Sequence, residues 1–239
     1  MKQSGLGDAL YVGGYDLSGD INSLSRIGTS RTALDFTAID KEGFERKGGI
    51  RDGAIEFTSY FNPSAGQAHP ILSALPTTDV MVSYLRGTTV GTPSACTVAK
   101  QVGYDPTRGA DGSLTMTTSA LANGFGLEWG VMLTAGKQTD TTATDSDGLD
   151  QTAQTTDGAQ AYLQVFSFTG TSCTVSIEDS ADDNTYAPLI AFTAATGVTT
   201  ERDTVSGTVD RYVRISTTGT FSECTFAVMF KRNKIETVF

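Results

Sequence analysis

The sequence predicts a mainly β protein. Its 239 residues carry only 18% charged side chains while Gly, Thr, Ser and Ala fill much of the remainder, a composition suited to strands joined by turns. Segments of period-two alternation recur along the chain, and glycine- or proline-bearing turns separate them. One segment alone, NPSAGQAHPILSALPTTD (62–79), reads as helical. The expected architecture is a β-sandwich or barrel with one short helix, followed by a second small all-β, sandwich-like domain.

The chain opens on YVGGYDLSGDINSLSR (11–26), polar and glycine-rich, so residues 1–31 are expected to form an N-terminal arm. Its glycines permit bends, and Tyr11, Tyr15 and Leu17 are sparse apolar anchors suited to ordering against a neighbouring subunit. No cationic segment followed by an apolar one opens the sequence, and no apolar run has the length of a membrane span.

A first domain is expected over 32–136. TALDFTAI (32–39) and AIEFTSYF (54–61) alternate as strands and flank a long charged loop, 40–53, giving a hairpin with an extended tip. The tip mixes charges of both signs around Phe44, with Glu45, Arg46 and Arg51 among them. Charge that sets register around an aromatic that buries area suits a subunit contact, although a mobile exposed hairpin explains the composition equally well. Pro70 fits the start of a helix over 70–75, and Pro76 ends it. Further strands are expected at 80–87, 95–104, 113–122 and 126–135.

Residues 137–160 are rich in Thr and Asp, and Leu149 is their one large aliphatic side chain. Such a stretch buries too little to offset ordering its backbone, so a linker or solvated loop is expected there. From 161 to 239 alternation returns in AYLQVFSFTG, CTVSIEDS, YAPLIAFTAA, DRYVRIST and CTFAVMFKR, a compact C-terminal β domain.

Enzymatic chemistry finds little footing. His69 is the one histidine, and the proline after it explains it as a helix-start residue. No Gly-x-Ser-x-Gly elbow accompanies it. Glu56 or Glu128 could join an aspartate in a glycosidase pair, with Trp129 the sole tryptophan platform, but carboxylates on β surfaces are ordinarily solvated. DSDGLD (145–150) and EDSADDN (178–184) offer clustered oxygens without the order of an EF-hand loop. Cys96, Cys173 and Cys224 fall in no CxxC spacing and read as reduced, buried small hydrophobes. No catalytic, cofactor or metal site is expected. A net charge of −10 disfavours gripping nucleic acid yet is compatible with enclosing it.

The run GIRDGAIEFTSYFNPS…AHPIL…LPTTD, with VAKQVGYDPTRGADGSLTMTTSALANGFGLEWGVMLTAGK after it, resembles the major tail proteins of long-tailed bacteriophages. GAQAYLQVFSFTGTSCTVSIEDSADDNTYAPL and VDRYVRISTTGTFS resemble the second half of the same group. The resemblance implies a non-catalytic subunit of the virion tail, assembled in the host cytoplasm. Its copies would form rings, hexameric or trimeric with pseudo-sixfold symmetry, stacked around a channel that DNA crosses without specific binding. Other expected partners are the tape measure and tail-tip components. A capsid-decorating or host-surface glycan-binding β module is the alternative.

Overall fold

The computed structural model describes residues 4–233. In chain order its elements are β1 (Ala9–Val12), β2 (Tyr15–Asp16), β3 (Ile21–Asp35), β4 (Arg46–Tyr60), α1 (Ala68–Leu72), β5 (Val80–Leu85), β6 (Pro93–Arg108), β7 (Leu114–Ala122) and β8 (Glu128–Met132). There follow β9 (Gln138–Asp140), β10 (Thr144–Asp145), β11 (Leu149–Asp150), β12 (Ala159–Ser180), β13 (Ala187–Ala191), β14 (Thr199–Val205) and β15 (Tyr212–Arg232). The fold is mainly β with one short helix, as the composition predicts. Among the described residues no helix is long and apolar enough to cross a membrane.

The chain forms two compact units that interleave in sequence. One comprises the residues through Gly19, Ser83–Cys96 and those from Trp129 onward; the other comprises Asp20–Val82 and Thr97–Glu128. The expected order of one domain after another, with boundaries at 31, 136 and 160, is corrected accordingly.

The first unit is built on β12 and β15, which pair antiparallel along nearly their whole lengths. Register shifts between Val165 and Ser172, with Gly170 at φ 151° and Gly219 at φ 128°, bend the pair midway. Side chains from both halves then meet in one core: Val165, Phe226 and Phe230 from one half, Val175, Ile177 and Ile215 from the other. A sheet folded over its own core in this way is sandwich-like.

The stretch expected as a linker belongs to this unit. β9, β10 and β11 each pair with β15. Polar contacts take the place of apolar burial: Thr217 Oγ1 donates to Asp140 at 2.8 Å, and Ser146 N donates to the Ile215 carbonyl at 2.8 Å. Leu149 packs against the core.

The expected N-terminal arm is likewise corrected. β1 is buried along its length and pairs with β2. Gly14, at φ 84°, turns the chain between them and donates its N–H to Gln164 Oε1 at 2.9 Å. The Gln164 amide in turn donates to Ser83 Oγ at 2.6 Å, so one buried side chain ties three segments together.

The second unit carries an antiparallel meander in which β3 pairs with β4, β4 with β7, and β7 with β6. Helix α1 begins two residues before the expected start. Asp20, remote in sequence, accepts the Ala68 N–H at 2.9 Å and a hydrogen bond from Asn62 Nδ2 at 2.8 Å. Pro70 therefore falls inside the first turn, where a missing N–H costs nothing because no intrahelical acceptor exists there.

Candidate assembly surface

The β3–β4 hairpin outruns its sheet. β7 pairs with β4 only from Ala54 to Tyr60, whereas β3 pairs with β4 as far as Asp35 and Arg46. Residues 29–35 and 46–53 thus form a two-stranded ribbon about 20 Å long, at roughly 3.3 Å per residue. β3 pairs with β4 alone, so its other backbone edge is open.

The sequence explains why the ribbon stays in solvent. SRTALD and RKGGIRD hold few apolar residues, and none alternate in a way that would bury one face. Thr29 to Asp35 are all exposed, and Ile50 is 84% exposed. The alternation of 32–39 does not mark the strand that forms: β3 spans 21–35, and Phe36 to Glu45 make the tip.

The tip is organised locally. Phe36 N donates to the Glu45 carbonyl at 2.9 Å, extending the ladder by one rung, and Glu45 N donates to Thr37 Oγ1 at 2.9 Å. Thr37 donates through its N–H and hydroxyl to Asp35, holding that carboxyl below its ordinary range. Arg46 lies over the Phe44 ring at 4.3 Å and Lys47 over Phe36 at 5.0 Å. Phe44 is 70% exposed, Phe36 56%, and Ile39 fully so. Lys41 reaches Glu45 at 3.8 Å. Two cation-capped rings and an aliphatic side chain at the end of a thin ribbon expose apolar area that the unit itself leaves uncovered.

Of the expected contact residues, Phe44, Glu45 and Arg46 come together at this tip. Arg51 does not join them: it is partly buried and ion-paired at 3.8 Å with Glu128, whose side chain is fully buried in the same unit. Tyr15 is half-buried on β2. Tyr11 and Leu17 are corrected outright, being 2% and 0% exposed. The Tyr11 ring meets Phe166 edge-on at 4.8 Å, and burial raises its phenol pKa. Side chains so enclosed cannot reach a neighbouring subunit. The sequence marks Phe36 and Ile39 as strand residues of 32–39, and Lys47 and Ile50 as part of the loop 40–53, not as contact residues.

Charge along the ribbon is uneven in a useful way. Arg31 stands directly opposite Arg51 in the ladder, a like-charge pair. Arg51 turns to Glu128, and no carboxylate of the described residues lies within ion-pair distance of Arg31. The two ribbon strands, 29–35 and 46–53, carry four cations (Arg31, Arg46, Lys47, Arg51) against two carboxylates (Asp35, Asp52), on a chain whose net charge is −10.

The residues weighed for catalysis are separately engaged. His69 Nδ1 lies 2.9 Å from the Tyr104 hydroxyl, and its ring packs against Phe61 at 4.5 Å. Glu56 pairs with Arg26 at 3.3 Å. Among the described residues no group of three or more His, Cys, Asp or Glu is placed to hold a metal ion. All three cysteines are buried free thiols, and burial pushes Cys173 and Cys224 up from the ordinary thiol range.

No protein-family model matches the chain, and no curated protein matches it. Among solved structures, it is similar to a chain in the virion of a native gene transfer agent particle, at 12% identity and a TM-score of 0.42, covering 54% of this chain and 98% of that one. It is also similar to the SPP1 Dit protein (gp 19.1), a hub adsorption apparatus protein of Gram-positive-infecting phages, at 13% identity and a TM-score of 0.37, over 94% and 99% of the two chains. A third similarity, at 8% identity and a TM-score of 0.33, is to a chain of the phage p2 baseplate in its activated conformation with Sr, over 95% and 99%.

Proposed function

We propose that the chain is a structural subunit of a bacteriophage virion, and that it builds the tail tube by self-association into stacked rings. The observation that carries this reading is the ribbon. A two-stranded hairpin is marginal in water, and here it holds apolar and unpaired cationic side chains away from any sheet. A neighbouring copy supplies what the ribbon lacks: an edge to pair with, carboxylates for Arg31, Arg46 and Lys47, and cover for Phe36, Ile39 and Phe44. The small cationic excess of the ribbon is complementary to the acidity of the rest of the chain, which favours a second copy as partner. The resemblance of the sequence to major tail proteins points the same way.

An acidic tube suits the passage of DNA, because a wall without clustered cations leaves the duplex free to slide. Catalysis has no part in this role. Ring size, hexamer or trimer, follows from symmetry averaging of the assembled particles.

Electron microscopy of the purified full chain, beside a variant lacking residues 37–44, tests the reading. Rings or tubes from the parent, and dispersed subunits from the variant, are expected. A parent that stays monomeric at several hundred micromolar, or a variant that assembles as well as the parent, argues against it.

A further inference from the structure

The first unit carries an open groove of about 500 Å³ whose apolar lining includes Pro93, Trp129, Val131 and Ala153. Trp129 and Val131 fall on one face of β8, with Gly130 between them. The indole is 43% exposed and is braced edge-on against the buried Tyr84 at 6.3 Å. Leu6, Val90 and Val198, also exposed in this unit, do not line the groove, so Trp129 is the large apolar side chain that it leaves open to solvent. The wall at Gln151 to Thr155 is fixed by two backbone hydrogen bonds between Thr155 and Val209, at 3.0 and 2.9 Å, so the groove exists before anything fills it.

The charged residues beside the groove do not favour a charged occupant. Arg232 donates to the Val209 and Asp210 carbonyls, both at 2.5 Å, and Lys231 is engaged within the chain. What remains to recognise a partner is apolar surface. Its counterpart is the ribbon tip, where Phe36 and Phe44 alone offer about 200–300 Å² of uncovered ring. A cavity of about 150 Å³ holds a benzene ring, so the groove has room for both rings and for Ile39.

We infer that the groove of one copy receives the hairpin tip of a neighbouring copy, with Phe44 seated against the Trp129 indole. Arg46 covers one face of the Phe44 ring and leaves the other for this contact. The inference rests on the self-association proposed above and names its receiving surface. Tip and groove are different patches, so the contact is heterologous: each copy presents one of each, and successive contacts close a ring or extend a stack. The two rings supply about a third of the roughly 800 Å² that each partner contributes to a stable interface, and the exposed ribbon strands behind the tip supply more.

Trp129 is the only tryptophan, so the emission of the full chain reports on the groove. Between dilute and assembled protein, acrylamide quenching should fall several-fold and the emission should move to the blue. A disulfide trap locates the contact. A chain carrying Gly43→Cys, where a side chain meets open space, is mixed with one carrying Ala153→Cys on the exposed groove wall, in the presence of oxidised glutathione. Cross-linked pairs of one variant with the other are expected, the native thiols being buried. Ala153→Phe, which fills the groove from an exposed position, should weaken assembly about as much as loss of the tip side chains while leaving the melting temperature unchanged. Assembled protein in which Trp129 stays as quenchable as in the free chain, or in which the two cysteines do not couple, would overturn the inference and leave self-association standing. So would coupling that persists when Phe36, Ile39 and Phe44 are changed to serine. A chain that stays dispersed at several hundred micromolar, without coupling, would remove both.

Discussion

Replacing Phe36, Ile39 and Phe44 together with serine separates folding from assembly. In the free chain these side chains are 56%, 108% and 70% exposed, so their loss removes little native burial. Surface changes of this kind shift folding stability within about 0.5 kcal/mol per site. In an assembly that covers the tip, the same side chains lose their remaining exposure. Full burial of a Phe or Ile side chain is worth about 1.5–3 kcal/mol. Scaled by exposure, Phe44 contributes about 1–2, Phe36 about 1–1.5 and Ile39 about 1.5–3 kcal/mol, a total of about 3.5–6.5 kcal/mol per contact. At 1.4 kcal/mol per decade that weakens association by about 300- to 40,000-fold. Sedimentation velocity across a dilution series, paired with thermal melts, reads both quantities. Assembly at the parent's concentration by the triple variant would refute the reasoning, and so would a melting temperature lowered as far as a core mutation lowers it.

Further outcomes follow from contacts inside each unit. Leu17→Ala should destabilise the first unit by about 2–5 kcal/mol, because the side chain is fully buried; denaturant titration checks this, and a near-neutral result would mean that β1 and β2 are not part of the fold. Gln164→Leu should cost about 1–3 kcal/mol, since it strands the Gly14 N–H and leaves the Ser83 hydroxyl with the Cys96 thiol in place of its stronger amide donor; hydrogen exchange at Gly14 should quicken. Acid should destabilise the chain. For Asp16, burial opposes ionisation but is outweighed by hydrogen bonds and charge from Lys137 and Ser18, while Asp111 and Asp182 are held below the ordinary range mainly by backbone and side-chain hydrogen bonds. With folded pKa values below unfolded ones, the stability these groups contribute is present above the ordinary aspartate value and is lost as pH falls through the folded values. Asp179, raised by burial, contributes in the opposite sense, so Asp179→Asn should raise the melting temperature at neutral pH and leave it nearly unchanged in acid.

What could be read from the sequence was whatever burial imprints on one face of one element. Alternation in AYLQVFSFTG, CTVSIEDS and CTFAVMFKR marks β12 and β15, whose inward residues do form the core. The interleaving of two units left no such mark, because β5, β6 and β8 each cross from one unit to the other without a change in composition. Residues 137–160 misled for a related reason: their order comes from hydrogen bonds to β15, and Thr and Asp look alike whether they face water or a strand edge. Tyr11 and Leu17 sit among glycines, yet Gln164, more than 140 residues away, supplies the partner that makes their hairpin stable. Of the tip, Phe44, Glu45 and Arg46 were legible as mixed charge around an aromatic, whereas Phe36 and Ile39 looked like ordinary strand residues until the sheet ended short of them.

The ribbon's length sets a constraint on when it becomes ordered. Fixing a residue's backbone costs about 1–2 kcal/mol, and beyond Gly53 each rung is repaid only by the facing strand and by two cation–aromatic contacts. One of the register shifts in β3, between Arg31 and Ala33, falls within the ribbon and weakens the pairing there further. The distal rungs are therefore the least stable part of the second unit and open first. Trypsin should cleave the free chain within this segment, at Arg31, Arg46 or Lys47, well before it cuts the buried strands. Covering the ribbon in an assembly should protect those same bonds in proportion to the occupied fraction. Cleavage at equal rates in free and assembled protein would place the contact surface elsewhere, while early cutting within β12 or β15 would mean that the folded core, and not the ribbon, is the weak point of the chain.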